Sequence, residues 1–168
     1  MSSSSMSNGN ANGALEGADT QQFLTFRLAG EEYGVGILTV QEIRGWSSVT
    51  KVPHTPGWLL GVINLRGVVV PIIDLRLKFK FAKADYTDTT VVIILTVATR
   101  VVGVVVDGVS DVITLGAAQI KPAPSLGTGA DTRHIIGFGT LDERMRILMD
   151  VEKLMAGPDM GLVDKAIH

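Results

Sequence analysis

The chain reads as an all-β protein of two small barrels, and three observations predict it. Its apolar runs are short and rich in β-branched residues, and clusters of Gly, Asn, Asp and Pro bound them, as strands require. Very little of the sequence carries the three-to-four-residue periodicity of a full-length helix. Two hairpins of similar build, one near residue 68 and one near residue 100, suggest two similar halves. Short strands in close succession with little helix leave a sandwich or small barrels, and two barrels are favoured here.

The elements follow in order. Met1 to about Thr20 is Ser/Asn/Gly/Ala-rich and cannot build a core, so residues 1–20 are expected to be a disordered tail. FLTFRLAG and YGVGI read as a hairpin through Gly30-Glu31-Glu32. ILTVQEIRG breaks the strand pattern: Ile37, Val40 and Ile43 recur every three residues and Gly45 suits a C-terminal cap, which predicts one or two helical turns. SSVTKV is a further short strand, and His54-Thr55-Pro56 suits a helix start with Thr55 as N-cap. Asn64-Leu65-Arg66-Gly67 has the composition of a type I turn joining GVINL to VVVPIIDL, with Arg66 at the tip. Pro71 cannot donate to a ladder, so that arm is expected at an edge or bulged. VVIIL and VVGVVV form a second hairpin, aliphatic enough to be buried on both faces. DGVSDVITL and QIKPAP are extended, and Leu126 to Thr132 is a loop. IIGFGTL and RMRILMDV make a last hairpin, after which Asp150 caps a short helix over 151–156. The body spans 21–157, divided into subdomains at roughly 21–82 and 83–150, and 158–168 is a weakly helical tail.

The bulk numbers exclude several functions. A net charge of -2 without any Lys/Arg cluster gives no footprint for nucleic acid. The absence of cysteine removes disulfides, thiolate metal sites and thiol catalysis together. No apolar run approaches the ~20 residues of a membrane span, and the N-terminus lacks a secretory pattern, so a cytoplasmic protein is expected. Charged residues at 19% fall below the usual share, which mildly favours a surface partly covered by partners.

No catalytic, metal or cofactor site is expected. His54, His134 and His168 have no partner at metal-ligand spacing. Gly127-Thr128-Gly129 and Gly137-Phe138-Gly139 lack the third glycine and the helix of a phosphate cradle. Asp107-Gly108-Val109-Ser110-Asp111 lacks the remaining ligands and closing Glu of a calcium loop, and Ser110 has no nucleophile-elbow context. A site assembled from scattered residues, in a small ligand-binding barrel or enzyme, is the alternative from another class.

The blocks EEYGVGILTVQEIRG, GVINLRGVVVPIIDLR, TVVIIL, RVVGVVVDGVSDV, QIKPAP and MRILMDVEKL resemble the bacterial chemotaxis coupling family, CheW, in order and over nearly all of Gln22 to Met155. The resemblance implies two intertwined, SH3-like five-stranded β-barrels without catalysis. It implies a protein, monomeric when free, that bridges the cytoplasmic tips of methyl-accepting chemoreceptors to the regulatory domain of the histidine kinase CheA. Any membrane association would be indirect, through the receptors. By position, Val40, Glu42, Ile43, Arg66, Val109 and Val112 match receptor-facing residues. Val49 and Val52 in the first barrel, with Lys121 and Leu126 in the second, match kinase-contacting surfaces. Two roles stand open for Arg66: a contact with the receptor, or an ion pair with Glu42 inside the protein.

Overall fold

The computed structural model describes residues 19–81, 84–123 and 134–156. Most of the expected tail at 1–20, the loop containing Leu126 and the segment 158–168 lie outside the described residues, although Thr20 already opens the first strand. The strands are β1 (Thr20–Leu28), β2 (Glu31–Gly36), β3 (Val40–Gly45), β4 (Leu59–Leu65), β5 (Val68–Asp74), β6 (Val91–Val97), β7 (Arg100–Val106), β8 (Gly108–Gly116), β9 (Ile120–Pro122), β10 (Ile135–Leu141) and β11 (Arg144–Met149). Two short helices, α1 (Leu75–Lys78) and α2 (Val151–Met155), follow β5 and β11, each capped by an aspartate, Asp74 or Asp150.

The strands form two sheets, ordered β8-β1-β2-β11-β10-β9 and β3-β6-β7-β5-β4. The first thus carries a sixth, three-residue strand beyond the five expected. Each sheet curls on itself. Edge strands β8 and β9 are consecutive in the chain, joined through a 3₁₀ turn at Ala117–Gln119. In the other sheet the chain just beyond β3 meets β4, where Thr50 and Val62 exchange backbone hydrogen bonds at 2.9 and 2.8 Å. Gly61 permits this closure: its φ is +151°, and a Cβ there would overlap the Thr50 carbonyl.

The sheets do not divide the chain near residue 82 as the sequence suggested. Hairpin β1–β2 belongs with β8–β11, and β3–β5 belong with hairpin β6–β7. In each sheet a hairpin meets a later or earlier pair through one parallel contact, β2 with β11 and β7 with β5. The counterpart of hairpin β6–β7 is therefore β1–β2, and that of β4–β5 is β10–β11. The latter pair match residue for residue, from Leu65 and Leu141 before the tip to the capping Asp74 and Asp150.

Several local expectations fail for physical reasons. Residues 37–45 hold only a 3₁₀ turn at Ile37–Thr39 and then β3, because the segment pairs with β6. Among residues 46–58 the only ladder contact is the Thr50 bridge, and no helix begins at Thr55, whose hydroxyl instead donates to the Val52 carbonyl at 2.9 Å. The β4–β5 tip is a two-residue loop, Arg66-Gly67, with φ of +50° and +89°. Positive φ at both positions is the primed turn that matches strand twist. The β1–β2 loop is likewise Ala29-Gly30, one residue earlier than expected. Pro71 sits on an interior strand, just before the stretch that pairs with β7, and the register shift lies in the facing strand between Leu59 and Gly61.

The described residues hold three apolar clusters. One fills each barrel, Leu65, Val70, Ile72, Val92, Ile94 and Val105 in one and Phe23, Ile113, Leu115 and Leu148 in the other. The largest lies between the sheets and takes Leu24, Phe26, Ile73, Ile93, Leu95 and Val104 among others. Alternate residues of β6 thus serve different cores, which is why VVIIL is aliphatic throughout. Each fully buried Ile or Leu stabilises by about 1.5–3 kcal/mol.

A buried polar cluster ties the sheets together. Arg76, 2 % exposed, donates bidentately to Asp74 at 2.9 Å through both Nε and Nη2, and through Nη1 to Asp107 at 2.8 Å. Tyr86 donates to Asp74 at 2.6 Å, and Asp107 accepts from the Ala29 amide in the β1–β2 turn at 2.8 Å. Burial opposes the Arg76 charge, but the two carboxylates outweigh it and raise its pKa. The aspartate pair 107 and 111 is thus explained in half: Asp107 is structural.

Candidate functional site

Directly paired residues of neighbouring strands point to the same face. Val40 pairs with Leu95 and Ile43 with Ile93, both members of the inter-sheet core. Val109 pairs with Phe26 and Val112 with Leu24, which belong to the same core. All four aliphatic candidates therefore lie on the inter-sheet side, on the edge strands β3 and β8. Val40 and Val109 pack against that core, while Ile43 and Val112 are 44 % and 45 % exposed at its margin.

Positions three apart point to opposite faces of a regular strand, so Val40 and Ile43 share one only because β3 is bulged between Val40 and Glu42. The same irregularity falls in β8, where Val109 pairs with Phe26 and Asp111 with Thr25, leaving Ser110 as the extra residue. Val40-Gln41-Glu42-Ile43 and Val109-Ser110-Asp111-Val112 are thus structural equivalents. The spacing that suggested a helix is a pair of bulges. The two four-residue segments also resemble each other in sequence, the signal that could have revealed them.

The charged candidates occupy the other face. Glu42 pairs with Ile94, a residue of the barrel core, and accepts hydrogen bonds from Arg66 and, at 3.4 Å, from Arg44. Arg66 comes from the β4–β5 tip, so this ion pair spans the seam between the edge strands of the five-stranded sheet. The Arg66 hydrogen bond, above the opposing loss of hydration, holds the Glu42 carboxyl below its ordinary 4.5. In the free protein Arg66 therefore does pair with Glu42. Its side chain is nevertheless 64 % exposed, so the pair leaves it accessible. Arg44 is the member of this cluster that the sequence reading missed.

The kinase candidates are dispersed. Val49 packs against the core of the five-stranded barrel and is half-buried, so most of its surface serves packing. Val52 is half-buried on the following segment. Lys121 is exposed on β9 of the other sheet, and Leu126 lies outside the described residues.

Beside the aliphatic rims a groove of about 730 Å³ opens between the sheets, lined by Leu38, Thr39, Thr96, Thr114, Ile136 and Val151 among others. Thr39 immediately precedes Val40, and Thr114 lies two residues beyond Val112 on the same strand face. Leu38 is 98 % exposed at its lip. Among the described residues no group of three or more His, Asp or Glu could hold a metal ion, and no helix is long and apolar enough to cross a membrane.

Two curled sheets sharing a central core, with equivalent bulged aliphatic segments on the edge strands β3 and β8, define a paired-barrel scaffold. The comparisons give that class its family. Residues 22–158 match the model of the CheW-like domain, and the chain belongs to the CheW family. It is 55% identical over 144 residues to the chemotaxis protein CheW of Klebsiella aerogenes, covering 86% of this chain and 87% of that one. It is 40% identical to a probable chemotaxis protein CheW of Rhizobium etli, covering 81% and 88%. The crystal structure of the scaffolding protein TtCheW from Thermoanaerobacter tengcongensis superposes with a TM-score of 0.75 at 33% identity, covering 83% of this chain and 94% of that one. The expected family and fold class stand, and the protein is a chemotaxis scaffold rather than an enzyme.

Proposed function

We infer that this protein couples the cytoplasmic tips of chemoreceptors to the regulatory domain of the histidine kinase CheA, as a monomer in the cytoplasm that reaches the membrane only through its receptors. Membership of the chemotaxis family supports that setting. The observation that carries the receptor half is the pair of equivalent aliphatic rims, Val40 and Ile43 facing the same core as Val109 and Val112, with Ile43 and Val112 left exposed. Exposed aliphatics along a groove suit an amphipathic helical partner, which buries them while nearby charges set its register. For the kinase, Val52 on the segment beyond β3 and Lys121 on β9 are the contacts of choice, with Leu126 a further candidate and Val49 contributing through packing.

The test is a pull-down against a receptor signalling fragment and the CheA regulatory domain, separately and together. Both should be retained, and Ile43→Asp or Val112→Asp should remove the receptor fragment alone. Failure to retain either partner sinks the proposal. Saturable uptake of a small apolar molecule in the groove would favour a ligand-binding barrel instead.

A further inference from the structure

Among the described residues two arginines are almost wholly buried, Arg76 and Arg146, at 2 % and 6 % exposed. Arg76 turns the Nε/Nη2 edge of its guanidinium onto Asp74 and gives Nη1 to Asp107. Arg146 is bound through Nη1 alone, which donates to the Leu141 carbonyl at 2.5 Å and the Arg144 carbonyl at 2.8 Å, on either side of the β10–β11 turn. Its Nε is buried without a hydrogen-bond partner, the only such side-chain atom among the described residues. Nη2, on the same edge, is not enclosed in this way and reaches the surface.

In the other barrel the equivalent of Arg146 is Val70, fully buried opposite Ile63. Arg146 instead lies opposite Gly139, on the barrel face it shares with Leu148. A Cβ at Gly139 would come within 2.5 Å of Leu115, so a glycine and a cation stand where the other barrel has an apolar pair. The carboxylates at this end of the barrel are otherwise placed. Glu32 comes alongside on β2, one residue before Tyr33, which pairs with Ile147, but it accepts from Ser110 at 2.7 Å and pairs with Arg144 at 3.6 Å. Asp142 and Glu143, in the turn itself, form no ion pair with Arg146, nor does any other carboxylate among the described residues.

A buried charge without a counter-charge is costly, and a carboxylate taken bidentately is what satisfies a guanidinium edge. We propose that this end of the six-stranded barrel is a carboxylate-binding site, in which Nε and Nη2 of Arg146 hold the two oxygens of one carboxylate. Arg76 and Asp74 make the same union inside this molecule. The two turn carbonyls fix Nη1 and with it the guanidinium plane, so the edge is set before the ligand arrives. The carboxylate belongs to a small free acid or to an acidic side chain of a protein partner, and the site stands independently of the receptor reading above.

The test follows the Arg146 Nε–H resonance of the full chain by NMR, assigned by its loss in Arg146→Leu. Sodium acetate should shift it saturably at millimolar concentration, toward the position of the Arg76 resonance, which is carboxylate-bound already. Acetate should also raise the thermal unfolding midpoint, and sodium chloride of equal ionic strength should do neither. Arg146→Leu, apolar like Val70, should stay folded and lose the acetate response. If that variant fails to fold, Arg146→Lys, which keeps the charge without the two-pronged edge, should lose the response in its place. If acetate has no effect but the receptor signalling fragment or the CheA regulatory domain moves the resonance toward that of Arg76, the carboxylate arrives on a partner. A resonance unmoved by acetate and by both partners, or moved equally by chloride, overturns the proposal.

Discussion

Arg66 shows how one side chain serves two purposes without contradiction. Its guanidinium closes the seam onto Glu42, yet it stays largely exposed, and exposed ion pairs contribute little to stability. Arg66→Ala should therefore leave the thermal unfolding midpoint and kinase affinity nearly unchanged while weakening receptor binding. A collapse of thermal stability would show that the clasp, rather than the contact, is its purpose. The pH dependence follows from the lowered Glu42 pKa. A carboxylate stabilised when ionised contributes fully above its ordinary 4.5, and that contribution is lost as pH falls through the lowered value. NMR titration should place the Glu42 midpoint below 4.5, and Arg66→Ala should move it up. An unmoved midpoint would mean that the pair does not persist in solution. The arginine at the tip was legible in the sequence. Its partner was legible only as one of two options, because an ion pair across a barrel seam joins residues 24 apart that only closure brings together.

Among the elements, the polar cluster and the seam make the strongest demands. Arg76 is buried with its carboxylates, so Arg76→Ala should lower stability to urea by about 3–5 kcal/mol by stranding Asp74, while Arg76→Lys keeps the charge and loses less. A change below about 1 kcal/mol would mean that the cluster is dispensable. Tyr86 reports on the same cluster. The residue is 41 % exposed, but its hydroxyl is turned onto Asp74, and lost hydration followed by that hydrogen bond pushes its pKa up to about 12. Its contribution is complete below the ordinary 10 and is lost as pH rises through about 12, which ultraviolet titration of the phenolate can follow. Gly61→Ala should destabilise by more than about 2 kcal/mol because the Cβ enters the Thr50 carbonyl, whereas Gly67→Ala should cost about 1 kcal/mol for its positive φ alone. The hairpins were readable because each is set by local turn chemistry and runs of β-branched residues. Residues 37–45 were not, because a bulge gives a strand the three-residue spacing of a helix. Arg76 escaped notice for a similar reason: Tyr86, Asp107 and Ala29, which complete its cluster, come from segments that approach only in the finished fold.

For the whole molecule the informative feature is exchange between halves. Each sheet takes a hairpin from one half and its remaining strands from the other, and the largest apolar cluster draws on both sheets. The sequence hinted at duplication but matched the wrong hairpins, since 59–74 corresponds to 135–150 rather than to the hairpin near residue 100. A chain of two sequential barrels would survive cleavage between them as two folded domains. Here a break near residue 82 leaves β1–β2 without β8 and β11, and β3–β5 without β6 and β7. Neither fragment retains a complete sheet, and each exposes the residues of the shared core. Fragments 19–82 and 83–156 should therefore lack cooperative thermal transitions alone and regain one when mixed, with the restored complex binding the receptor fragment. A cooperative transition in either fragment by itself would show that its strands are self-sufficient. The same exchange places the Ile37–Thr39 turn that leads into β3 and Thr114 of β8, from opposite halves, along one groove. Two-sided docking is therefore available only to the fully assembled molecule, and receptor binding should track refolding of the mixed fragments rather than the presence of either one.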